Sequence, residues 1–166
     1  MKISKIINIT ALFLLITLNV HGSETDNYIS WDKDIQDSTQ EINRHYNELI
    51  RIIRSKHPNL EIVIAPGPNE LEDAEKIEAI SITNNQKALS ISELAGVIKK
   101  SSFVVANDTG PAHMAAHLGL SGLVLFGYHT TAHKVSIETD KFKALTVDRL
   151  NELHPEKVYL EIKNKL

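Results

Sequence analysis

The stretch Asn107-Asp108-Thr109-Gly110-Pro111-Ala112-His113 gathers the residue types that could do chemistry, between an apolar run, Phe103-Val104-Val105-Ala106, and a small-residue run ending at Leu118-Gly119. Its order predicts strand, turn, helix. In an open parallel sheet a ligand sits beyond the carboxyl ends of the strands, so a polar turn of this kind is where a site is expected. Gly110 lets a ligand approach the backbone, and Pro111 pre-sets the first helical turn while giving up an amide that the helix does not use. The amides of Thr109, Gly110 and Ala112 would then point outward and form an anion site suited to a diphosphate. Asp108 repels a phosphate, so a sugar hydroxyl is the partner its charge allows, and His113 could donate to a phosphate oxygen. A plainer reading stands beside this one: Asp108 or Thr109 caps the helix and nothing is bound.

Other constellations are weaker. His113 and His117 are four apart, as are His129 and His133. That is a metal-ligand spacing, but the helix reads Ala-His-Met-Ala-Ala-His and lacks the glutamate of a zinc-protease motif, so surface histidines and no metal are expected. No Gly-rich dinucleotide or P-loop pattern follows any strand, which disfavours a dinucleotide oxidoreductase. The acidic stretch Glu70 to Glu78 reads as a solvated helix face, from which only Glu70, at the turn after Pro66-Gly67-Pro68, is set apart. Cysteine is absent, which excludes disulfides, thiolate metal sites and thiol nucleophiles. Eighteen basic against 21 acidic residues give a net charge of −3, so no nucleic-acid partner is expected.

The elements that must hold these residues read as α/β. The chain of 166 residues makes about one domain, and its 42% hydrophobic content with only 5% aromatics suits a sheet covered by helices. Ile42, Tyr46, Leu49, Ile50 and Ile53 recur at helical spacing, giving a helix from Glu41 that stops at Lys56-His57-Pro58. Leu60 to Ala65 reads as a strand. Asn69 is expected to cap a helix from Glu70 to about Ile80, Ser81 to Ser90 reads as a weak strand or loop, and Ser92 is expected to cap a helix over Glu93 to Lys100. Strands follow at Ser102 to Asn107, Leu123 to Phe126 and Lys143 to Val147, with helices at Ala112 to Leu118 and from Pro155. Alternation of this kind predicts a parallel sheet with right-handed crossovers.

The N-terminal segment 1–40 carries two readings. Two lysines, an apolar run over Ile6 to Leu18 and small residues near Gly22 outline a secretory signal, whereas the same β-branched run would serve as a buried strand over Ala11 to Val20. Ser23 to Gln40 is polar and reads as a linker, leaving 41–166 as the Rossmann-like domain.

Asn107 to Gly119, followed by Leu123-Val124-Leu125-Phe126-Gly127, resembles the ADP-heptose:lipopolysaccharide heptosyltransferases, glycosyltransferase family 9. Members carry an Asp-Thr-Gly-Pro-x-His turn, a small-residue helix and a strand ending Phe-Gly. Ile64 to Glu70 resembles the family's Gly-x-x-Glu turn, and Ser90 to Ala95 with Phe103 to Val105 the helix and strand before the Asp-Thr-Gly turn. The resemblance runs from about Tyr46 to Leu166. It implies a GT-B enzyme of which this chain is the C-terminal, nucleotide-sugar-binding half, a Rossmann-like three-layer parallel sheet. It implies transfer of a heptose from ADP-heptose to a lipopolysaccharide core acceptor at the membrane surface, with neither cofactor nor metal. By resemblance Glu70 holds the ribose hydroxyls, Asp108 contacts the donor sugar, and the backbone of Thr109 and Gly110 with His113 cradles the diphosphate. Such an enzyme is cytoplasmic, peripheral to the inner membrane, which favours the strand reading of the N-terminus over export.

Three departures from the family pattern matter. Only a short segment precedes the matched region, so the acceptor site and the general base are expected from a separate N-terminal half, and the catalytic residue is unassigned. Where the family has lysine-tryptophan-proline this chain reads Glu41-Ile42-Asn43-Arg44-His45-Tyr46, and where it has Pro-Thr after Phe-Gly this chain reads Tyr128 to Lys134. Thr130 and Lys134 are the phosphate-facing candidates in that last stretch. The expectation is a donor-binding domain inactive alone, the alternative a non-catalytic nucleotide-sugar-binding module.

Overall fold

The computed structural model describes residues 11–15, 31–127 and 137–166. Along the chain come β1 (Ala11–Leu15), α1 (Trp31–Lys56), β2 (Glu61–Ile64), α2 (Leu71–Ala74), β3 (Ile80–Ser81) and α3 (Ile91–Lys100). They are followed by β4 (Phe103–Asn107), α4 (Gly110–His117), β5 (Gly122–Phe126), β6 (Phe142–Thr146), a 3-10 turn at Leu150–Glu152 and α5 (Pro155–Ile162). Every strand pair is parallel and the sheet order is β3-β2-β1-β4-β5-β6. This is the expected Rossmann-like sheet, in which successive strands grow outward from β1 on one side and from β4 on the other.

Alternation along the strands sorts the core into two layers. Phe103 and Val105 of β4 and Leu123 and Leu125 of β5 pack with Tyr46, Leu49, Ile50 and Ile53 of α1 and with Val158 and Ile162 of α5. Val104, Ala106, Val124 and Phe126 face the other way, against Ile98 of α3 and Ala112, Ala115 and Ala116 of α4. Helices therefore cover both faces, and β4 and β5 are buried along their whole length, as central parallel strands are. Three alanines on the buried side of α4 let that helix lie close to the sheet. Gly119, with φ of +75°, ends it in a Schellman motif, its amide and that of Leu120 bonding back to Ala116 and Ala115.

Gly122 is where β5 passes Phe142. A Cβ there would lie 2.2 Å from the Phe142 ring and 2.7 Å from the Val104 carbonyl oxygen. Phe142 is fully buried and the carbonyl belongs to a central strand, so neither yields easily. Gly122→Ala is therefore expected to destabilise by about 1–3 kcal/mol, and unaltered urea unfolding of this variant would refute the packing described.

The structure departs from the sequence reading in four places. Helix α1 begins at Trp31, ten residues before Glu41, so the boundary at residue 40 falls inside a helix. The helix expected from Glu70 to Ile80 stops at Ala74, and Glu70, not Asn69, is its N-cap. The cause is tertiary: the Asn47 amide donates to the Lys76 carbonyl (2.9 Å) and accepts from the Glu78 amide (2.8 Å), taking groups a longer helix would need. Ser90, not Ser92, caps α3, because Ser90 and Glu93 have the spacing that closes a capping box. Within Ser81 to Ser90 the strand is limited to Ser81, followed by an Asn84–Lys87 bridge across Asn85 and Gln86, both at positive φ. The strand reading of the N-terminus holds for Ala11–Leu15, while Ser23 to Ser30 lies outside the described residues.

Candidate functional site

The order reversal between β1 and β4 opens a crevice at the carboxyl ends of those strands. Asn107 is the last residue of β4, and the turn that follows it feeds α4 at this rim. Thr109 occupies the N-cap position with extended backbone, φ −149° and ψ 163°, yet its side chain makes no capping bond. Thr109 is buried and its hydroxyl oxygen has no partner. The first bond of α4 runs from the His113 amide to the Thr109 carbonyl at 3.2 Å, and the amides of Thr109, Gly110 and Ala112 have no partner among the described residues. The corner thus presents unpaired donors at the positive end of a helix, the arrangement that binds anions.

Asp108 and His113 flank this corner. His113 Nε2 lies 3.5 Å from Asp108 Oδ1, with the carboxylate side chain 16% and the imidazole 32% exposed, so both reach the rim. Asp108 lies beside the amides without capping them. His117 is exposed and lies back along its own helix, its Nδ1 2.7 Å from the His113 carbonyl oxygen. The two rings are 6.4 Å apart, and among the described residues no group of three or more His, Asp or Glu is gathered as a metal ion would need.

Glu70 stands at the same rim beyond β2, on the far side of β1. Its Oε2 accepts from the Gly67 amide at 2.7 Å, and its own amide donates to the Gly67 carbonyl at 3.1 Å, closing a tight turn. With strands spaced about 4.8 Å apart, the ends of β2 and β4 are separated by roughly 10 Å. The structure brings Asp108, Thr109, Gly110 and His113 together and sets Glu70 across the crevice from them. Thr130 and Lys134, with His129 and His133, lie outside the described residues.

Two side chains of α1 serve the rim and escaped the sequence reading. The Tyr46 hydroxyl donates to Asn107 Oδ1 at 2.6 Å, tying the helix to the residue before Asp108. Burial pushes the Tyr46 phenol well above its ordinary range, which keeps it a proton donor. Asn43, three residues earlier, is buried beside Glu70. The available signal was a polar residue at position 43, on the same buried stripe as Tyr46 and Ile50. Nearby, burial and the Arg44 charge hold the His45 imidazole below its usual range.

A family model described as glycosyltransferase family 9 (heptosyltransferase) matches residues 42–158. The lipopolysaccharide core heptosyltransferase OpsX of Haemophilus influenzae is 32% identical over 87 residues, which are 51% of this chain and 25% of that protein. Among solved structures, E. coli heptosyltransferase WaaC with ADP matches with a TM-score of 0.67 at 21% identity, covering 94% of this chain and 44% of that one. E. coli ADP-heptose lps heptosyltransferase II matches with a TM-score of 0.64 at 16% identity, covering 95% and 46%. The chain thus spans less than half the length of these solved relatives, whose likeness is one of fold. Because the family model runs from α1 into α5 and contains the whole β4–α4 corner, the chain belongs to glycosyltransferase family 9.

Proposed function

We propose that this chain is the donor-binding half of a GT-B heptosyltransferase that transfers a heptose from ADP-heptose to a lipopolysaccharide core acceptor. The observation that carries this reading is the β4–α4 corner, where the amides of Thr109, Gly110 and Ala112 and the Thr109 hydroxyl have no partner among the described residues. The diphosphate is assigned to those donors and to His113, each charge-assisted bond contributing about 1.5–3 kcal/mol. In the reaction an acceptor hydroxyl attacks the anomeric carbon and the bond to the diphosphate oxygen breaks. The charge that develops on the departing ADP is met by donors already in place and by the helix dipole. Asp108 is assigned to a hydroxyl of the heptose and Glu70 to the ribose. Thr130 and Lys134 remain the phosphate-facing candidates of the stretch that follows β5 in sequence.

The general base and the acceptor site are assigned to a facing N-terminal domain, in the same or a separate polypeptide, so that this chain alone binds donor without transferring it. The position of β1 between β2 and β4 supports retention of the N-terminal segment, since cleavage after Gly22 would remove a central strand. Among the described residues no helix is long and apolar enough to cross a membrane. Because β1 is retained on this reading, we place the protein in the cytoplasm, meeting its acceptor at the inner-membrane surface.

ADP and ADP-heptose are expected to raise the melting temperature. A ligand at a hundred times its Kd stabilises by about 2.7 kcal/mol, roughly 5–10 °C for a domain of this size. No shift at millimolar ADP would overturn the reading. A shift without transfer, even when an N-terminal half is supplied, would assign the chain to the nucleotide-sugar-binding modules instead.

A further inference from the structure

We infer that Asn43 is a ligand-binding residue whose side-chain amide hydrogen-bonds a ribose hydroxyl of the nucleotide, in a hydroxyl-reading pocket shared with Glu70. The inference rests on the nucleotide-binding reading above and adds to it a residue on α1. Asn43 is only 6% exposed, yet its Oδ1 has no hydrogen-bond partner and its Nδ2 makes no bond within the described residues. Buried side-chain amides in folded proteins are bonded, so an orphan of this kind needs an explanation. Asn47, one turn further along the same face, shows the ordinary case: its oxygen and nitrogen are both taken up by the backbone of Glu78 and Lys76. Asn43 has no such structural employment.

Its surroundings say what the missing partner is. Asn43 lines a shallow depression at the carboxyl end of β2, with Ile64 and Ile77 as apolar lining and Glu70 and Asp73, the latter ion-paired with Lys76 at 2.7 Å, as the other charged side chains. Two carboxylates repel a phosphate and only accept hydrogen bonds, whereas an amide both accepts and donates. A hydroxyl does both as well, so it can donate to a carboxylate while accepting from the amide. A vicinal diol matches this set better than any anion or apolar group. Glu70 accepts from the Gly67 amide, and a carboxylate has about four acceptor sites, so that bond does not by itself exclude a ligand. The Asn43 amide can present either end to the pocket by rotating about χ2, because neither end would give up a protein hydrogen bond. Both moieties of a nucleotide sugar carry diols. The separation of β2 from the diphosphate corner by an intervening strand assigns this pocket to the ribose and leaves the second sugar to Asp108.

The test measures calorimetric affinities of ADP, 2′-deoxy-ADP and 3′-deoxy-ADP for the full chain and for Asn43→Ala and Asn43→Leu. The wild type is expected to prefer ADP over at least one deoxy analogue. Both variants should lose about 3- to 10-fold in ADP affinity while binding that analogue unchanged, so the preference shrinks by the same factor. The unliganded Asn43→Leu protein should melt at or above the wild-type temperature, since an unpaired buried amide is replaced by an apolar group of similar size. An undiminished preference in the variants, or equal losses for ADP and its analogues, overturns the role of Asn43 and leaves the function standing. A marked drop in the unliganded melting temperature of Asn43→Leu overturns it too, by showing that the amide is bonded within the fold. Failure of the wild type to bind ADP overturns the nucleotide reading itself, and this inference with it.

Discussion

Gly110→Ala is expected to leave the fold intact and to weaken ADP binding about tenfold or more, by the loss of one or more charge-assisted bonds worth about 1.5–3 kcal/mol each. Beyond its chain neighbours and its own helix, a Cβ built at Gly110 meets no atom of the described residues within 4 Å, and the residue lies outside the positive-φ region. Neither packing nor backbone conformation therefore calls for glycine here. Alanine should even stabilise the first turn of α4, by up to about 0.5–1 kcal/mol. On the proposed reading, the added methyl crowds the open space that a phosphate oxygen needs to reach the amides of the corner. Gly122→Ala, which meets Phe142 at 2.2 Å, should do the reverse and lower stability without touching the rim. Calorimetric Kd values and melting temperatures of the two variants separate the effects, and an unchanged ADP affinity in Gly110→Ala would remove the diphosphate from this corner.

Asp108→Ala should cost ADP-heptose roughly tenfold or more in affinity while leaving ADP itself unchanged or slightly tighter. A carboxylate beside the phosphate-binding amides disfavours the diphosphate by charge, so removing it relieves repulsion. The same carboxylate is a strong acceptor for a sugar hydroxyl, and that bond is lost with it. His113, 3.5 Å away, keeps its own place on α4 through the bond from its amide to Thr109. Competition binding with the two ligands reads the difference, and an equal loss for both would mean that Asp108 holds the turn instead of the sugar.

The β4–α4 corner was legible in the sequence because its determinants are local. A buried strand, a turn and a helix opened by Gly110-Pro111 follow one another within a few residues, and each step is dictated by residue type. The capping alternative was not decidable at that level, since whether Thr109 bonds an amide depends on a rotamer. The structure gives that side chain no capping bond. The short α2 was misread for the opposite reason. Its acidic, helix-favouring stretch is overruled by Asn47, far away in sequence, which claims the Lys76 and Glu78 backbone.

From residue order alone came the α/β class, the parallel sheet, the turn with its open amides and the likeness to family 9, because periodicity, punctuation and short motifs are written over spans of a few residues. Tertiary structure alone decided that β1 lies at the centre of the sheet, that Glu70 and Asp108 share one rim with a strand between them, and that Tyr46 and Asn43 of α1 reach that rim. Those facts depend on which strands pair and which helix face is buried. Pairing and burial are settled by the packing of the whole chain, in which residues 61 positions apart, such as Tyr46 and Asn107, meet through a single hydrogen bond.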